Sequence, residues 1–352
     1  MPPRKPAPAR PPAAATDLLA FDIGGANIKA ADGLGWTVSL DFPLWQRWRD
    51  LPAVLAGIAA PRRPQRVVAT MTGEICDCYP SRAAGVSHIV ESLIEAARGF
   101  DGEPGVYLTD GRLVPATEAV AEWRLAAASN WHALARLAAS VAPDHRSVLL
   151  DIGSTTTDIV PLDYGQVAAT AHDDAGRMLA GELVYTGVER SAVAAIVRRL
   201  PHRGCYRPVA SELFAESRDA WLTLGCLPEA PTSTSTADGG PATVEAARIR
   251  LARTMLLDPA DFTAADAAAA AEAIAARQAR LIARALRQVA RNSGHRPETV
   301  VVTGHGDQLA SRALIATGWS VRLLPLAEAI GQAAARNAPA HALAGIVLGK
   351  IP

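Results

Sequence analysis

Two short strings carry the chemistry most plainly. Asp22-Ile23-Gly24-Gly25-Ala26-Asn27-Ile28-Lys29 and Asp151-Ile152-Gly153-Ser154-Thr155-Thr156-Thr157-Asp158 each follow an apolar run and lead into a second one. A glycine turn between two strands lets backbone N–H groups approach an anion with no Cβ in the way. That chemistry assigns Gly24, Gly25, Asn27 and Lys29 to phosphate binding in the first string, and Gly153, Ser154, Thr155 and Thr156 in the second, where hydroxyls add donors. An aspartate repels phosphate, but Asp22 and Asp151 can hold a hydrated Mg2+ that bridges to phosphate oxygens. One such string is weak, because glycine after a strand is commonly just a turn. Two in matching context, facing one another, would clamp a polyphosphate from both sides. A third passage from strand to small-residue loop, Val300-Val301-Val302-Thr303-Gly304-His305-Gly306, adds Gly304 and Gly306 to the phosphate set.

The elements that must position these residues alternate. Short strands are expected at Leu18–Phe21, Ile28–Ala31, Trp36–Leu40 and Arg66–Met71, with helices over Leu44–Ala60, Val86–Arg98 and Pro115–Val141. The pattern restarts at Ser147–Leu150, continues through the Ala-rich helix Ala264–Asn292 and the strand Thr299–Val302, and ends in helices Ala327–Asn337 and Ala340–Leu348. Alternation of this kind is the α/β signature. We expect a disordered leader over residues 1–16, one domain over 17–145, and a second over 146–352 with a helical insertion at about 176–298. The polar run Thr232–Gly240 reads as a mobile loop.

Composition narrows the classes further. The 35 basic and 35 acidic residues cancel, which argues against a nucleic-acid binder. Four cysteines are too few for a disulfide scaffold, no apolar run is long enough for a membrane span, and the leader lacks the apolar stretch of a signal peptide, so a cytoplasmic protein is expected. Only Lys5, Lys29 and Lys350 are lysines, so a lysine inside a motif stands out.

The paired strings resemble the acetate and sugar kinase, heat-shock chaperone and actin superfamily. That resemblance implies an α/β fold of two similar actin-like (ribonuclease-H-like) domains around a central phosphate-binding cleft. Asp22 and Lys29 match its first phosphate motif, Asp151–Asp158 the second, and Gly304–Gly306 its adenosine loop, although Gly-His-Gly departs from the usual form. A narrower resemblance rests on Met71-Thr72-Gly73-Glu74, on Leu179–Arg190, and on Thr236-Ala237-Asp238-Gly239 with Pro241–Glu245. These strings are similar to the hydantoinase/oxoprolinase-like proteins of tetrahydromethanopterin-linked one-carbon pathways, whose archaeal relatives are methanofuran-precursor synthases. The resemblance implies alkyl transfer from a furan-methyl diphosphate to a phenolic amine, with Mg2+ and without ATP hydrolysis, ATP binding being not favoured. An ATP-dependent kinase or amidohydrolase of the same superfamily is the alternative. Glu74, Lys29 and Asp158 are the candidate catalytic groups, and Tyr185-Thr186-Gly187 either lines the acceptor pocket or packs structurally. The partners expected are small molecules, not nucleic acid or membrane; a homodimer is compatible.

Overall fold

All six residues of Leu18–Ile23 (β1) are buried, as a strand flanked by others and covered on both faces must be. In this computed structural model, which describes residues 16–100 and 103–352, β1 lies at the centre of a six-stranded sheet. Its companions are Asn27–Ala31 (β2), Thr37–Asp41 (β3), Arg66–Met71 (β4), Gly105–Tyr107 (β5) and Leu113–Pro115 (β6), in the order β3-β2-β1-β4-β5-β6. β2 is antiparallel to β1 and β3, whereas β4 and β5 run parallel to β1.

A second sheet repeats the plan. Arg146–Ile152 (β7), Thr157–Asp163 (β8), Gln166–Val167 (β9), Leu183–Val184 (β10), the hairpin Arg199–His202 (β11) and Cys205–Pro208 (β12), Thr299–Gly304 (β13) and Arg322–Pro325 (β14) follow in the chain. The sheet order is β10-β8-β7-β13-β14, with β8 antiparallel and the last three strands parallel. Strand order 3-2-1-4-5 with an antiparallel second strand is the ribonuclease-H-like plan of actin-like domains, present here twice. The duplication is therefore one of fold as well as of motif.

The 29-residue helix Ala264–Asn292 forms where the sequence predicts it, opened by a Thr263/Asp266 capping box. Its buried stripe, Ala267, Ala270, Ala271, Ile274, Ala275, Gln278, Ala279 and Ile282, follows helical spacing, and the alanines allow close packing. Other expectations need correction. Pro115–Val141 is not one helix but three, Ala116–Ala121, Trp123–Ala126 and Asn130–Val141. The first break falls at Glu122 and the second at Ala128, with φ of 50°, and Ser129, whose amide donates to Met71 O at 3.1 Å. The insertion at about 176–298 is not purely helical: it supplies β10, the third strand of its sheet, and the β11–β12 hairpin.

The domain boundaries also move. Among the described residues, one compact unit comprises those from Thr16 to Leu137 together with 336–352, and the other is 138–335. Residues 338–347 return to the first sheet, where their helix packs on β1, β2 and β4. Gly345 admits this return, since a Cβ there would lie 2.5 Å from Ile351 Cδ1. Lys350 completes it by donating to Gly33 O at 3.0 Å. The expected leader lies outside the described residues except for Thr16, which is buried and bonded to Arg62 O and Leu18 O. Among the described residues no helix is long and apolar enough to cross a membrane.

Candidate functional site

The first hairpin turns on Gly24, whose amide donates to Asn27 O at 3.0 Å. The second turns in the same way on Gly153, bonded to Thr156 O at 2.9 Å. Register pairs Asp22 with Lys29 and Asp151 with Asp158, so the two strings correspond residue for residue. Among the described residues, no acceptor takes the amides of Gly25 and Ala26 in one turn or of Ser154 and Thr155 in the other. Adjacent unclaimed amides at a tight turn form a concavity suited to an anion.

The surroundings of the two hairpins differ in charge. Asp22 is buried, with Thr70 Oγ1 at 3.4 Å, Asn130 as a further hydrogen-bond partner, and Lys29 close enough to act on it electrostatically. Burial pushes its carboxyl above the usual carboxylate range, against the opposing pull of Lys29, Thr70 and Asn130. In the second hairpin the residue facing the aspartate is another carboxylate, Asp158. It is held at 2.8 Å by Arg177, a guanidinium only 1% exposed. Asp158 thus stands in an ion pair with a buried guanidinium. Asn27 differs from expectation too: with its amide nitrogen facing them, it donates to Ala26 O at 3.2 Å and to Asp41 Oδ1 at 2.7 Å. That side chain closes the turn onto β3 rather than standing open to ligand.

The Gly304-His305-Gly306 loop presses on the second hairpin. Gly304 has φ of 94°, and a Cβ on it would lie 2.2 Å from Ile152 O and 2.6 Å from Asp151 Oδ1. Gly306 would meet Ile152 Cγ2 at 2.3 Å, and the His305 amide donates to Ile152 O at 2.8 Å. These glycines are therefore required for chain-to-chain approach beside Asp151. His305 itself is exposed.

A second clamp comes from Thr186–Arg190. Val188 donates to Gly153 O, and Glu189 and Arg190 both donate to Ser154 O. Gly187 fits because a Cβ would sit 2.5 Å from Gly153 O. Gln278, fully buried, fixes this segment: its Nε2 donates to Thr186 Oγ1 and Gly187 O, both at 2.8 Å, while its Oε1 accepts from Trp221 Nε1 at 3.0 Å. Thr157 Oγ1 adds a bond to Thr186 O at 2.7 Å. Sequence reasoning missed Gln278, Arg177 and Asn130; the one signal was a lone glutamine at a core position of an otherwise apolar stripe.

Glu74 lies in the turn after β4 with its carboxylate enclosed, 3.9 Å from Arg82 Nε. The helix Arg82–Ala96 approaches closely there, since a Cβ on Gly85 would lie 2.2 Å from Glu74 O. Glu182 accepts from Thr170 N and Oγ1 at 2.8 Å each. Asp238, in the run expected to be mobile, is tied to buried Arg250 at 3.1 Å and to Arg253 at 3.0 Å. Trp48 packs against Tyr79 and His88. Among the described residues no group of three or more His, Cys, Asp or Glu side chains gathers to hold a metal.

The hydantoinase/oxoprolinase family model matches residues 65–198, a span that contains Glu74, the whole second hairpin and its Thr186–Arg190 clamp. A curated relative from Methanocaldococcus jannaschii, named (4-{4-[2-(gamma-L-glutamylamino)ethyl]phenoxymethyl}furan-2-yl)methanamine synthase, is 31% identical over 68% of this chain and 72% of its own length. The chain belongs to this synthase family. A second synthase of the same name, from Methanococcus vannielii, is 30% identical over 49% of this chain and 76% of that one. Solved structures with low identity include a ROK family glucokinase from Streptomyces griseus, 11% identical with a TM-score of 0.47, covering 94% of this chain and 98% of that one.

Proposed function

We propose that this protein joins an aminomethylfuran-methyl diphosphate to the phenol oxygen of a tyrosine- or tyramine-type acceptor, releasing diphosphate, as a cytoplasmic enzyme of methanofuran-type cofactor biosynthesis. The observation that carries the reading is 31% identity over 72% of a synthase whose name describes a phenoxymethyl-furan methanamine. The unclaimed amides support it, because each pair by itself, Gly25 with Ala26 or Ser154 with Thr155, suits the oxygens of a diphosphate.

In the proposed step, the bond between the furan-methyl carbon and the diphosphate oxygen breaks, and its electron pair leaves with the diphosphate. The phenol oxygen forms the new bond to that carbon, and its proton passes to a base. Charge developing on the leaving oxygen is what the site must stabilise. We assign that to the hairpin amides and Lys29, and assign Glu74 to the phenol proton. Asp22 in the first hairpin and Asp151 in the second are each a hard oxygen donor of the kind Mg2+ takes beside substrate phosphates. Bound there, Mg2+ would supply further neutralisation of the diphosphate. No nucleotide is consumed.

The test is incubation with furfuryl-type diphosphate, Mg2+ and tyrosine, tyramine or glutamyl-tyramine in turn. An aryl ether formed in step with diphosphate supports the reading and identifies the acceptor. ATP turnover without ether would instead establish a kinase or ATP-dependent amidohydrolase.

A further inference from the structure

The duplicated units differ at one position beside the turn. In the first, β3 runs along β2 so that Asp41 pairs with Asn27 and accepts from its side chain. In the second, β10 takes the place of β3 and Val184 pairs with Thr157. β10 ends there, and Thr186 N donates to Val184 O at 2.8 Å, so Tyr185 stands on the bend that leads to Gly187, where a Cβ would lie 2.6 Å from Ser154 O. Tyr185 is 58% exposed, and among the described residues its ring and hydroxyl take no hydrogen-bond or ring partner.

The backbone that carries this ring is held on one side by β10 and on the other by buried polar bonds. Thr186 is fixed through both its hydroxyl and its carbonyl, by Gln278 and Thr157. A satisfied buried network of this kind rigidifies what it holds. A flat side chain kept out in solvent on a rigid support, two residues before the glycine that packs on Ser154, has the form of a stacking surface.

We infer that Tyr185 is a specificity-determining residue whose ring stacks on the furan of a donor whose diphosphate sits at the amides of Ser154 and Thr155. The inference rests on the reaction proposed above, in which one carbon separates the furan from the diphosphate. A side chain next to the diphosphate-binding turn therefore meets the donor ring.

The test measures binding by calorimetry, with Mg2+, of 2-(furan-2-yl)ethyl diphosphate, whose longer linker does not ionise, and of inorganic diphosphate. The full-length protein is compared with Tyr185→Ala and Tyr185→Phe. Tyr185→Ala is expected to weaken the furan compound about tenfold, the size of one aromatic pair. Inorganic diphosphate binds unchanged, and Tyr185→Phe restores the furan preference. Equal losses for both ligands, or no loss for either, would overturn the inference. So would a raised KM for the phenolic acceptor with furan binding unchanged, which would reassign Tyr185 to the acceptor. If the protein prefers the furan compound through Tyr185 yet forms no ether, the proposed reaction fails and the stacking role stands. If it shows no preference for the furan compound over inorganic diphosphate, the stacking role fails whatever product forms.

Discussion

Lys29 and Asp158 occupy the same place in the two hairpins, yet carry opposite charge. The first hairpin balances Asp22 with Lys29, whereas the second sets Asp151 opposite an aspartate that Arg177 already neutralises. Lys29 is therefore the cation within the first hairpin itself. Lys29→Ala should lower kcat/KM for ether formation about a hundredfold, the scale of one lost transition-state donor, with little change in melting temperature. Asp22 answers a different test. Burial raises its folded pKa above the ordinary 3.8, so the native protein holds this proton more tightly than the unfolded chain. Its contribution to stability is full at pH below the ordinary value and is lost as pH rises through the raised one. Asp22→Asn should therefore melt no lower than the parent near pH 8, and should reduce the pH dependence of stability above about pH 4 while abolishing activity. A lower melting temperature for the variant at pH 8 would show that the charged carboxylate stabilises the fold.

At the scale of elements, the glycines behind Asp151 make a sharper claim than positive φ alone. Gly304 and Gly318 both adopt it, at 94° and 72°, but only at Gly304 would a Cβ collide with backbone. Gly318→Ala should cost about 1 kcal/mol, and Gly304→Ala about 3 kcal/mol or more through the added clash; denaturant unfolding measures both. Gln278→Leu should cost a similar amount, because it strands the Trp221 N–H and the Gly187 carbonyl in the core. These contacts also mark where the sequence stopped being legible. The strands ending at Asp22 and Asp151, the turns after them and the long alanine helix were readable, since each is local in spacing or in turn chemistry. β10 is two residues long, too short to show alternation, and its membership of the sheet comes from pairing with β8. Arg177 and Gln278 were invisible for the same reason, their partners lying elsewhere in the chain. Asn27 misled because its type suits a ligand, while the acceptor that claims it, Asp41, belongs to the next strand.

At the scale of the molecule, the chain builds one sheet plan twice and returns its last segment to the first copy. The helix Ala338–Val347 covers β1, β2 and β4, so deleting residues 338–352 should remove hydrogen-exchange protection from the strand that carries Asp22, while the strands of unit 138–335 keep theirs. Loss of protection in β7 and β13 as well would show that the units fold as one. Neutral overall charge, 35 basic against 35 acidic residues, fits the proposed binding of an anion through a few backbone amides and one lysine rather than through a basic surface. The reaction itself is the most direct test of the proposed function. With furfuryl-type diphosphate, Mg2+ and a tyramine-type acceptor, one aryl ether should form per diphosphate released, with no requirement for ATP. Nucleotide hydrolysis without ether formation, for any of the phenolic acceptors, would contradict it.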